Sequence, residues 1–165
     1  MSEDPPELES LELGEPSRTV LTQDECYSAD GIDARRWMQT VFIPLTMVGD
    51  GKTFTIDTED AFSDHLKALE AKALELGVVA LRTDIQSCAY MIEDMAIISS
   101  VRHRLSAKGK VLGSTSITWT VIRVDEHWKI NQILFNDAVQ DPSVVAQVFL
   151  GHPNKRTFHR RAGLS

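Results

Sequence analysis

At Gly77 the hydrophobic period of this chain changes, and no other feature limits its fold as strongly. Upstream, "TEDAFSDHLKALEAKALELG" places Phe62, His65, Leu66, Leu69, Ala73 and Leu76 at i, i+3, i+4 and i+7 spacing. That is an amphipathic helix, with acids in its first turn favouring the dipole and Gly77 closing it. Downstream the period is two. Strands are expected at 78–91, 95–107, 110–124 and 127–136, separated by turns at Glu93-Asp94, Lys108-Gly109 and Asp125-Glu126. A helix feeding a four-strand meander has to bury one sheet face against helices, which makes the chain an α+β domain.

The segments before the long helix fit that plan. Residues 1–20 combine three prolines with many acids and read as a disordered acidic N-terminal segment. Thr22 followed by Glu25 has the spacing of a capping box, so a first helix is expected to start there, carry Tyr27 and stop near Asp30-Gly31. Asp33 is an N-cap for a short helix, "DARRWMQ". In "TVFIPLTMVGDGKTFTID" two β-branched runs flank Gly49-Asp50-Gly51, a hairpin signal, and Pro44 belongs at an edge or bulge because it cannot donate to a ladder. Asp141-Pro142 offers an N-cap and N1 pair for a last short helix with Val144, Val145, Val148 and Phe149 on one face. The expected organisation is a single domain over 21–150 followed by a basic tail at 151–165.

Totals narrow the function classes. At 165 residues and 42% hydrophobic, the chain supports one domain with a core. No apolar run reaches the roughly eighteen residues of a membrane span. The N-terminus is acidic where a secretory signal would be basic and then apolar, so a soluble cytoplasmic protein is expected. Cys26 and Cys88 lie far apart and form no metal-ligand spacing. The net charge is −7, with six acids and no base in 1–17 and four bases and no acid in 151–165. The body between these tails is acidic too, which disfavours nucleic acid as a partner because phosphate neutralisation dominates such binding. With no Gly-rich phosphate loop, His/Cys cluster or nucleophile motif, no metal and no cofactor are expected.

The order helix, short helix, hairpin, long helix, meander resembles the NTF2-like superfamily, which includes the SnoaL-like and ketosteroid-isomerase-like proteins. The resemblance covers about 22–137. It is carried by "FIPLTMVGDGKTFTID" ahead of "TEDAF", and by the last strand pair "TWTVIRVDEHWKINQILFND". Within that pair "HWKI" resembles the superfamily's Gly-Trp-Arg/Lys-Ile turn, with His127 where glycine is usual. The resemblance implies a strongly curved antiparallel sheet with helices packed on its concave face, a pocket between them, and often a homodimer through the outer face. It implies no single function, since members include isomerases, cyclases, dehydratases and subunits that only bind partners. Ketosteroid-isomerase-like enzymes carry a general-base carboxylate just before a proline on the strand after the first helices. Here that place reads Val41-Phe42-Ile43-Pro44, with no acid.

Turn positions fix register, so two sheet faces follow. One is rich in large apolar groups and should meet the helices; it carries Arg102, Trp119 and Gln132 at similar height. An arginine and an amide in an apolar cup suit an anionic or carbonyl-bearing small organic ligand. The opposite face lines up Asp84, His103, Ser114 and Asp137. These form an acid/base set only if a bulge turns them inward, and are otherwise ordinary cross-strand polar pairs. His65 is expected in the core or at the pocket rim. Three readings remain open: a small-molecule-binding domain without chemistry, a cofactor-independent isomerase, cyclase or dehydratase, and a protein-interaction module.

Overall fold

The computed structural model describes residues 15–138, with side chains through Asn136. Its elements are α1 (Glu15–Glu25), β1 (Tyr27–Ser28), β2 (Gly31–Ile32), α2 (Ala34–Met38), β3 (Val41–Gly49), β4 (Lys52–Ile56), α3 (Glu59–Glu75), β5 (Ala80–Ile92), β6 (Met95–Leu105), β7 (Val111–Val124) and β8 (His127–Ala138). The expected helix after Asp141-Pro142 and the 151–165 tail lie outside the described residues.

The first helix departs from expectation. It ends where the capping pattern placed its start, and residues 15–20, assigned to the acidic lead-in, form its first turns. Thr22 does not cap. Its Oγ1 donates back to the Arg18 carbonyl at 2.8 Å, as Thr19 Oγ1 does to Glu15 at 3.2 Å, so both hydroxyls are spent inside the helix. Tyr27, expected on this helix, lies in the short ribbon β1–β2 instead. The cap at Asp33 is as the sequence indicates, and α3 has a cap of the same kind. Asp33 accepts from Arg36 N to start α2, and Thr58 accepts from Ala61 N to start α3. Gly77 takes φ +79 just after α3, the left-handed value that glycine tolerates at a helix exit.

Six strands form one sheet in the order β4-β3-β8-β7-β6-β5. Every neighbouring pair is antiparallel except β3 and β8, which run parallel, so the sheet is mixed where an antiparallel one was expected. The connection explains this. β3 turns into β4, α3 carries the chain across to β5, and the meander then brings β8 back alongside β3 in the same direction. The two-residue turns Asp50-Gly51 and Asp125-Glu126 have positive φ at each position, the geometry whose twist matches flanking strands. Pro44 falls in the irregular stretch between Val41 and Thr46, where β3 and β8 lose register. Phe62, Leu66, Leu69 and Ala73 of α3 turn onto Leu45, Ile56, Ile117 and Trp119 to make the core, while Leu76 stays 37% exposed at the helix end. No helix among the described residues is long and apolar enough to cross a membrane.

Candidate functional site

The concave interior is built around Arg102 on β6, whose side chain is 2% exposed. Strand alternation points it under α1, and α1 and β5 supply its partners. Nη2 lies 3.2 Å from Asp24 Oδ1, Nη1 donates to Gln23 Oε1 at 3.2 Å, and Nε donates to Thr83 Oγ1 at 2.9 Å. Asp24 is shared: it accepts from Thr83 N at 2.7 Å and from Thr83 Oγ1 at 2.8 Å. The guanidinium also stands over the Trp119 ring, 4.8 Å from its centroid. Trp119 in turn donates Nε1–H to Ser100 Oγ at 2.7 Å. Burial pushes the Arg102 guanidinium below its ordinary value, and the Asp24 charge opposes that push. The Arg102 and Asp24 charges thus neutralise each other and are hydrogen-bonded within the fold.

Space decides what this interior can hold. Arg102, Trp119, Trp37, Phe62 and Phe135 leave about 30 Å³ unfilled. That is room for a water or two, against the hundreds of Å³ that an organic ligand needs. His65 sits at the rim, tilted against Phe54 and Phe62 with ring centroids 6.2 Å away in each case. Ile43 precedes Pro44, as read from the sequence, so that position brings no carboxylate inside.

Of the residues assigned to the pocket face, Arg102 and Trp119 meet there and Gln132 does not. Between Val121↔Ile130 and Thr120↔Gln132 the β7–β8 register shifts by one, with Asn131 as the extra residue. One added residue exchanges the two sides of a strand. Gln132 therefore faces out, accepting from Thr120 Oγ1 at 3.3 Å, and Ile133 takes the buried place. Asn131 Oδ1 is buried and without a hydrogen-bond partner, a local cost of the bulge.

Asp84, His103 and Ser114 do come together, on the outer face. His103 Nδ1 is 2.6 Å from Ser114 Oγ and Nε2 is 2.9 Å from Asp84 Oδ2. Two register shifts in β5 separate Asp84 from the turn, so the face is exchanged twice and restored. The pairing itself moves: Arg82, not Asp84, is opposite His103, and the contact to Asp84 is diagonal. Arg82 Nε reaches Asp84 Oδ1 at 3.7 Å. Asp84 is 58% exposed, and the trio ties the edge strand β5 to β6 and β7 outside the interior. Asp137 pairs with Ser116 in the ladder, and its side chain lies outside the described residues.

A second concavity was missed in the sequence. It lies between α1, the end of α2 and the β7–β8 turn, has about 670 Å³, and is walled by Arg18, Arg36, Lys129, Trp128, Glu15 and Glu126 among others. The signal that would have found it is Pro16, a first-turn residue that starts α1 early enough to bring Arg18 into a wall. Among the described residues there is no group of His, Cys, Asp and Glu able to hold a metal ion.

Residues 24–138 match a family model described as an NTF2-like protein (DUF6841). Among curated proteins there is no match. Solved structures agree on the fold. An NTF-2 like protein of unknown function from Shewanella oneidensis is 17% identical, covers 73% of this chain and 95% of its own, with TM-score 0.58. A domain of unknown function with a cystatin-like fold from Nostoc punctiforme is 10% identical, covering 98% and 94% with TM-score 0.58. A ketosteroid isomerase-like protein from Erwinia carotovora atroseptica is 12% identical, covering 79% and 98% with TM-score 0.55.

Proposed function

Because the chain belongs to the NTF2-like protein family DUF6841, whose fold alone names no reaction, we propose that it is a binding domain that performs no chemistry in its concave interior. One observation carries this reading: the interior is filled, with about 30 Å³ left over. A general acid/base enzyme of this fold needs an ionisable group facing a substrate-sized space. Arg102 is held by Asp24, Gln23 and Thr83, and Trp119 by Ser100. The Asp84–His103–Ser114 chain stands on the outer face, where it supports strand pairing. That same face carries half-buried Ile97, Val101 and Leu134 between hydroxyl side chains, which favours two copies meeting across it. The proposed setting is a soluble homodimer in the cytoplasm.

The test is deuterium exchange at the α-carbon of flat ketones, from cyclohexenone to a steroid enone, in D₂O. Isomerase, cyclase and dehydratase mechanisms of the acid/base kind all accelerate that exchange. The expected result is the buffer rate, with the Trp119 indole N–H resonance unmoved. Exchange above the buffer rate that disappears in Arg102→Met or His65→Ala would overturn the reading.

A further inference from the structure

The groove between α1, α2 and the β7–β8 turn is more than twenty times the size of the space left in the interior, and falls in the range of small-molecule sites. Two cations from different elements line it, Arg18 from α1 and Lys129 from β8. Neither makes an ion pair among the described residues, whereas Arg36, which also lines the groove, is held by Glu25. Trp128 also lines the groove, and its ring is held by Tyr90 edge-on at 5.9 Å and by Arg123 over it at 5.8 Å. Its indole Nε1–H makes no hydrogen bond among the described residues, in contrast to that of Trp119. The hydroxyls in the groove are already committed as donors, Thr19 to Glu15 and Trp128 carbonyls, Thr22 to Arg18 and Thr40 to Trp37. The donors left over include the Arg18 guanidinium, the Lys129 ammonium and the Trp128 indole N–H, and Gln39 and His127 line the groove beside them.

We propose that this groove binds a small organic monoanion with a flat apolar body, its carboxylate or equivalent oxyanion held between Arg18 and Lys129 and its body against Trp128. A guanidinium and an ammonium lining one groove match one oxyanion group. Glu15 and Glu126 on the same rim set the upper limit on charge, because they repel a chain of phosphates such as a nucleic acid. The site deepens the reading of the domain as a binding module, and rests on it.

The probes are benzoate, benzyl alcohol and benzylamine, equal in shape and differing in charge, titrated into the full chain with the three indole N–H resonances as reporters. Trp128 reports the groove and Trp119 the interior. The expected result is a saturable shift of Trp128 with benzoate alone, at least tenfold weaker in Arg18→Gln and in Lys129→Gln. Lys110→Gln, which removes an equal charge from the distant β6–β7 loop, should leave the affinity unchanged. No saturable shift of Trp128, or equal shifts with benzyl alcohol, or equal weakening in Lys110→Gln, would each overturn the groove while leaving the filled interior standing. A shift of Trp119 instead would overturn both, because the ligand would then be inside the cone.

Discussion

Arg102 shows how one side chain changes meaning with its neighbours. In the sequence it is an arginine on an apolar strand face, which invites a ligand. In the fold the ligand's place is taken by Asp24. Removing one member of a buried pair leaves the other charge stranded, so Asp24→Asn should cost about 3–5 kcal/mol in urea denaturation. The double variant Asp24→Leu/Arg102→Met removes both charges and should be less destabilised than the single. Equal loss in both would mean that the pair is not the unit. Tyr27 gives a pH reading of the same kind. Its hydroxyl donates to the Val78 carbonyl at 2.5 Å, and burial, with help from Glu70, pushes its pKa from 10 to about 12. Only the neutral phenol can donate this bond. The folded state therefore holds its proton more tightly than the unfolded chain, and this contribution to stability is intact below pH 10 and lost as pH rises from 10 through about 12. Alkaline denaturation monitored by phenolate absorbance should show that loss in the wild type, and Tyr27→Phe should remove this part of the pH dependence.

At the scale of the element, β8 carries the sharpest lesson. Its existence and its turn were legible from "DEHWKINQILFND", because period two and a two-residue turn are local properties, although the strand runs on to Ala138. Its facing was not. Asn131 adds one residue to the strand, and a bulge has no fixed signature in a run of alternating side chains. The consequence is measurable. Ile133→Ala removes a buried branched side chain and should cost about 2–5 kcal/mol, whereas Gln132→Ala, on the outer face, should stay within about 0.5 kcal/mol. The reverse order would restore the unbulged register. Gly113 makes a related point on β7: it faces Arg104, and a Cβ there would run into the Arg104 guanidinium. The α1 start failed for a different reason. Thr22 and Glu25 have capping-box spacing, but whether a threonine caps or bonds backward is settled by where the helix finds something to bury. Here Val20 and Gln23 are covered by the sheet, and that pulls the helix forward to Glu15.

For the whole molecule, the central fact is that the cone is a core. If Trp119 packs as an interior residue, Trp119→Ala should cost about 3–5 kcal/mol and leave a cavity able to take up a small aromatic such as indole. The wild type should take up none there. Calorimetric titration of both proteins checks this, and uptake by the wild type would show the interior to be open. The sequence by itself determined the long helix and the strands of the sheet, the order that marks the NTF2-like fold, the cap at Asp33, the turns at Asp50-Gly51 and Asp125-Glu126 and the buried face of α3. All of these follow from spacing within a dozen or so residues. It also placed His103 beside Asp84 and Ser114, because an even number of register shifts leaves a face unchanged. Only the tertiary structure decided that Arg102 is consumed by Asp24, that Gln132 points outward, that β3 and β8 run parallel, and that a groove opens beside α1. Each of those depends on which distant segment arrives at a surface and how much space it leaves. Local periodicity carries no record of that, since volume and partner choice are properties of the packed chain.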